Sequence, residues 1–292
     1  MQFQSSPFLF IPALVKNLPD EHAKGAQIDG WGFTLIGAFA GAVTMFFTDM
    51  NLLWSVASIV TLVAFIVYIN KAKDPFITPA FFKNPAFVAT MVVIFVGYFF
   101  SYTLNAGVNA IGLDVFGLDS AQVSNLLVWS ILLAAVLGFV CGPVVKKIGR
   151  SAAIIMALLT MGLGLIAVAF AIPHGSIAAL AVAPCLYYYG TSFFYSPIVD
   201  TATLTVTPEE SGRVLGANDL IQAITGSVGV AIFGQMMSAG VMSGGSIAGT
   251  EAGAASTYAN VFLIGGVIVL SALVIFILTK KMIYSRSRKD GE

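Results

Sequence analysis

The chain has 292 residues, of which 58% are hydrophobic and only 10% charged, and its formal net charge is zero. Soluble domains carry about 25% charged residues, so this composition excludes an ordinary water-soluble fold and makes the bilayer the natural solvent. The neutral balance gives no reason to expect a nucleic-acid partner.

The N-terminus, MQFQSSPFLFIPALVKN, has no basic region before its short apolar patch and no cleavage site, so it does not read as a signal peptide. Residues 7–15 read instead as the last turns of another, truncated span. A membrane helix needs about 20 apolar residues. Eight runs satisfy this: about 30–47, 52–70, 86–110, 123–145, 152–172, 176–199, 215–238 and 257–279. The expected fold is an all-α integral membrane bundle of about eight transmembrane helices. Cys141 and Cys185 lie within these runs and read as small hydrophobic residues, not as a disulfide or metal pair.

The connections alternate in charge. Lys16, Lys24, Lys71, Lys73, Lys83, Lys146, Lys147, Arg150, Arg213, Lys280, Lys281, Arg286, Arg288 and Lys289 all fall on one side. The other side shows Asp49, Asp114, Asp119, His174 and Glu251. The positive-inside rule makes the basic side cytoplasmic and places the C-terminal tail there. The stretch GPVVKKIGRS, residues 142–151, then reads as a tight cytoplasmic hairpin framed by Gly142 and Gly149. For the basic residues generally, topology and contact with lipid headgroups suffice.

Polar side chains within spans are costly and therefore informative. In the third run Tyr98, Tyr102, Asn105 and Asn109 share one helical face. That face is either bonded to a neighbouring helix or the wall of a cavity. In the sixth run, YYYGTSFFYSP places Tyr188, Thr191 and Tyr195 on one face, well inside the span. An aromatic, weakly polar wall suits an amphiphilic ligand, and core packing is the competing reading. Pro184 and Pro197 are expected to kink this helix. Gln222 joins the candidate binding residues. Asp200 ends the sixth span and Asp219 lies about one turn into the seventh. An acid at such depth is either paired, with Arg213 as the candidate partner, or carries a proton.

Gly37 and Gly41 in the first span, and Gly226, Gly229 and Gly234 in the seventh, mark expected close helix packing. Asp119 and Gln122 have the spacing of a capping box at the start of the fourth span. No HExxH, GxSxG, P-loop or CxxC occurs, and His22 and His174 fall on opposite sides. An enzyme is not expected, and no cofactor is called for.

The hairpin resembles the second copy of the cytoplasmic loop signature of the major facilitator superfamily. Gly142, Gly149 and Arg150 match it, and Lys146 and Lys147 occupy its centre, Lys146 replacing the usual Asp. DPFITPAFFKNPAF (74–87), DVFGLDSAQVSNLL (114–127) and ESGRVLGANDLIQAITGSVGVAIFG (210–234) are similar to segments of the fourteen-helix drug:proton antiporters, closest to the Gram-positive tetracycline exporters. An acidic residue that those exporters can carry in the penultimate helix is absent, and Gly226 and its neighbours stand there. The resemblance implies a division into a truncated helix end (1–15), a cytoplasmic loop (16–29), two central extra helices (30–70), a cytoplasmic linker (71–85), a six-helix transporter half (86–279) and a tail (280–292). The N-terminal six-helix half would be the missing partner. The implied function is proton-coupled efflux of small amphiphilic drugs across a bacterial cell membrane. Tyr98, Tyr102, Asn105, Asn109, Tyr188, Thr191, Tyr195 and Gln222 would contact the substrate, and Asp219, then Asp200, would couple protons. The alternative is a non-transporting relic, or a membrane subunit that needs a separate N-terminal half.

Overall fold

The computed structural model describes residues 29–289, with side chains through Ser285. The truncated span expected at 7–15, nearly all of the 16–29 loop, His22 and the side chains of the far tail lie outside the described residues. The helices are α1 (Gly30–Asp49), α2 (Leu52–Lys71), α3 (Pro79–Lys83), α4 (Pro85–Asp114), α5 (Ser120–Ile148), α6 (Arg150–Ala171), α7 (Ile177–Thr203), α8 (Ser211–Ser238) and α9 (Ala254–Lys289). A 3-10 turn, Pro208–Glu210, leads into α8. All but α3 are long and apolar enough to cross a membrane, and each coincides with one apolar run. The structure is all-helical among the described residues. Helix α9 runs on past residue 279 to Lys289.

Helix starts are marked by side-chain caps that occupy otherwise orphaned N–H groups. Asp29 caps α1 by accepting from the Gly32 N–H at 2.8 Å. Asn51 accepts from Leu53 at 2.9 Å at the start of α2. Asp119 and Gln122 form the expected capping box of α5, with reciprocal bonds of 2.8 and 2.9 Å. Asn84 caps α4 through Oδ1, while its Nδ2 donates to the Thr205 carbonyl at 2.6 Å. One side chain thus joins the start of α4 to the end of α7.

Helices α4 to α9 share one core. Helix α6 packs on both α7 and α9, α5 packs on α7, and α4 packs on α7, α8 and α9. Ile154, Leu158, Met161 and Leu165 of α6 are fully buried within it. Helices α1 and α2 pair with each other and dock through α1 onto α8. A small cluster of Phe65, Ile69 and Phe76 holds this attachment. Asp29 also organises it: Tyr68 donates to Asp29, as does the Phe76 N–H at 3.0 Å. Burial pushes the Asp29 carboxyl up, but the bonds from Tyr68, Phe76 and Gly32 outweigh this and lower its pKa below 3.8.

The expected small-residue contacts are only partly realised. A Cβ at Gly229 would lie 2.7 Å from the Phe99 carbonyl oxygen, so this glycine lets α8 approach the backbone of α4. Gly226 similarly seats the Tyr102 ring. Gly37, Gly41 and Gly234 have open space instead. The GxxxG of α1 therefore packs against none of the described residues.

Candidate functional site

All but one of the span residues singled out by helical phase converge on one cavity. It has a volume of about 500 Å³ and is walled by α4, α5, α7 and α8. Tyr98, Tyr102 and Asn105 come from α4, Tyr188, Thr191 and Tyr195 from α7, and Gln222 from α8. Asn109 does not reach it; its Nδ2 donates to the Asn105 carbonyl at 2.9 Å and to Asn105 Oδ1 at 3.2 Å. No charged side chain lines the cavity.

The aromatic wall is ordered by packing. Tyr98 is 5% exposed and meets Phe194 edge-on, with ring centroids 5.7 Å apart, and Tyr195 at 6.2 Å. Tyr188 stands edge-on to Tyr187 at 5.9 Å, with Asn105 beside its hydroxyl. Tyr187 itself is fully buried behind the wall, its hydroxyl 3.1 Å from Ser101 Oγ and donating to the Gly97 carbonyl at 3.3 Å. These contacts fix α4 against α7. Tyr102 and Tyr195 remain about half exposed, so the cavity is an open trough and not a sealed void.

Asp219 lies beside the cavity without lining it. Helix α8 begins at Ser211, so Asp219 sits two turns into the helix, deeper than the single turn expected, and it is exposed. Asn218 Nδ2 donates to its Oδ1 at 3.1 Å. Asn218 is 1% exposed and stands beside the Tyr98 hydroxyl. Neither that hydroxyl nor Asn218 Oδ1 completes a hydrogen bond among the described residues. Asn218 and Ser101 are the polar residues that sequence reasoning missed. Both carry a usable signal: Ser101 lies three residues after Tyr98, and Asn218 four before Gln222, so each falls near a recognised polar face.

Arg213 corrects a sequence expectation. It pairs with neither Asp219 nor Asp200; its partner is Asp74, in the segment between α2 and α3. Asp200 pairs instead with Arg150, Nε to Oδ2 at 3.5 Å, with both side chains about half exposed.

A profile of the Major Facilitator Superfamily matches residues 12–230, well over half of the chain. The chain belongs to the Major Facilitator Superfamily. It is therefore a multi-pass membrane protein of a family of transporters, not of enzymes. In this superfamily member the stretch 142–151 is tighter than the sequence suggests. Gly142 lies within α5, which continues through Lys146 and Lys147 to Ile148. Gly149, at φ 84°, makes the whole turn, and α6 begins at Arg150. The positive φ explains a glycine at that single position. The two lysines occupy the last turn of α5, where cations complement the helix dipole.

Proposed function

We propose that this superfamily member is the substrate-holding C-terminal part of a proton-coupled exporter of small amphiphilic compounds, tetracycline-like molecules among them. The observation that carries this reading is the trough of tyrosine, asparagine and glutamine side chains between α4, α7 and α8. Aromatic faces take the apolar body of an amphiphile, and the few amide and hydroxyl groups orient its polar edge. The absence of any charged lining residue favours a ligand that keeps a large uncharged surface.

In this reading Asp219 is the coupling carboxylate. It is exposed on α8, three residues from Gln222, and Asn218 connects its surroundings to the Tyr98 side of the trough. A proton on Asp219 removes a charge from the edge of the site, so proton and substrate influence each other's binding. Asp200, already paired with Arg150, is the weaker candidate. The trough is one wall. Transport needs an opposing wall, supplied by an N-terminal six-helix half across which the two parts rock. The basic end of the bundle faces the bacterial cytoplasm, the C-terminus with it.

The test uses inverted membrane vesicles holding this chain with a six-helix N-terminal half. Acidifying the lumen is expected to drive tetracycline uptake, and Asp219→Asn to abolish the gradient-driven component while equilibrium binding persists. Unchanged gradient-driven uptake in Asp219→Asn would remove the proton role from this residue.

A further inference from the structure

The connection between α5 and α6 takes no part in the trough, yet three cations are concentrated there. Beside it a groove of about 560 Å³ lies between the start of α6 and the far end of α9. Arg150 and Lys280 line it together with Ser151 and Tyr284, and Ile148 and Ile155 give it an apolar floor. Lys146, Lys147 and Lys281 are exposed at the same helix ends. No carboxylate lines the groove. Asp200 approaches Arg150 at Nε, 3.5 Å away, with both side chains about half exposed. A guanidinium carries five donors in a planar fork, so its terminal nitrogens remain for a second anion. The Tyr284 hydroxyl is held 2.9 Å from Thr201 Oγ1, which fixes that wall.

The groove is thus cationic at its mouth and apolar along its floor, at the end of helices long enough to span a bilayer. Those two surfaces match the two ends of a phospholipid. Basic recesses between membrane helices bind anionic headgroups. A soluble phosphate would answer the cations and leave the apolar floor against water, whereas a lipid covers both. We infer that this groove binds the headgroup phosphate of an anionic phospholipid, with Arg150 and Lys280 as its ligands and an acyl chain along Ile148 and Ile155. The turn at Gly149 then has a role of its own: it sets Ile148, the last residue of α5, beside Arg150, the first residue of α6, at one lipid.

The test is native mass spectrometry of the purified full chain in neutral detergent, titrated with phosphatidylglycerol and phosphatidylcholine of identical acyl chains. Phosphatidylglycerol is expected to bind more tightly. Lys280→Gln and Arg150→Gln should each weaken its binding about fivefold, the effect of one cation near an anionic headgroup, without changing phosphatidylcholine binding. Lys280→Arg should retain the preference, which shows that a loss in Lys280→Gln is not misfolding. Lys71→Gln and Lys73→Gln, on the same basic rim, should leave it unchanged. Equal binding of the two lipids would overturn the inference. So would an equal loss in the Lys71 and Lys73 variants, which means diffuse attraction, or full displacement by soluble glycerophosphate, which means the chain of the lipid is not held.

Discussion

Replacing Gly229 by alanine tests the packing that holds one side of the trough. The added methyl would sit 2.7 Å from the Phe99 carbonyl oxygen and 2.8 Å from Thr103 Oγ1, where ordinary contact begins at 3.4 Å. The backbone oxygen cannot turn away, so α4 and α8 must separate by about 0.7 Å, the difference between 3.4 and 2.7 Å. Overpacking of this kind costs about 1–3 kcal/mol. Alanine recovers up to about 1 kcal/mol of helix propensity. The net expectation is a loss of about 1–2 kcal/mol, read as a lower midpoint in thermal or SDS unfolding of the purified chain. Gly37→Ala meets open space and should be neutral or slightly stabilising. Because Phe99 and Thr103 adjoin Tyr98 and Tyr102, Gly229→Ala should also weaken amphiphile binding. Equal stability of the Gly229 and Gly37 variants would refute the close α4–α8 approach.

Other expectations follow from individual contacts. Tyr187→Phe removes a buried hydroxyl bonded to Ser101 and Gly97 and should cost about 1 kcal/mol, measured by the same unfolding assay; no change would mean that the bond contributes nothing. The Asp29 carboxyl has its pKa lowered from 3.8, so its stabilisation is complete above that value and fades as pH falls below it. Asp29→Asn should erase this acid-side loss, and a wild-type profile unchanged by Asp29→Asn would contradict the anchor. The Arg213–Asp74 pair is exposed at Asp74, so a double-mutant cycle should give at most about 1 kcal/mol. Coupling of Arg213 to Asp219 in place of Asp74 would restore the sequence-based pairing.

What could be read from the sequence was local or periodic. Twenty-residue apolar runs, the Asp119–Gln122 spacing and the phase of Tyr98, Tyr102 and Asn105 all follow from one helix at a time. The long-range pairings did not follow. Arg213 lies near Asp200 and Asp219 in the chain, but the fold delivers Asp74, 139 residues away. A glycine pair shows that helices can approach, not that a partner is there, which separates Gly37 and Gly41 from Gly229. Asn109 keeps the right phase but lies one turn too far along α4, where it bonds to Asn105. Helix phase fixes direction around the axis, and depth along it depends on how neighbouring helices are staggered.

The central claim is that the trough holds the amphiphile. The direct measurement is cysteine protection in a chain whose Cys141 and Cys185 are replaced by alanine. Thr191→Cys and Gln222→Cys place thiols in the trough wall, and Asn109→Cys places one outside it. A saturating amphiphile such as tetracycline, at about ten times its Kd, is predicted to slow maleimide labelling at residues 191 and 222 about tenfold, in proportion to the loss of free site, and to leave residue 109 unchanged. Equal labelling rates at all three positions with and without the amphiphile would contradict the assignment of this trough as the substrate site.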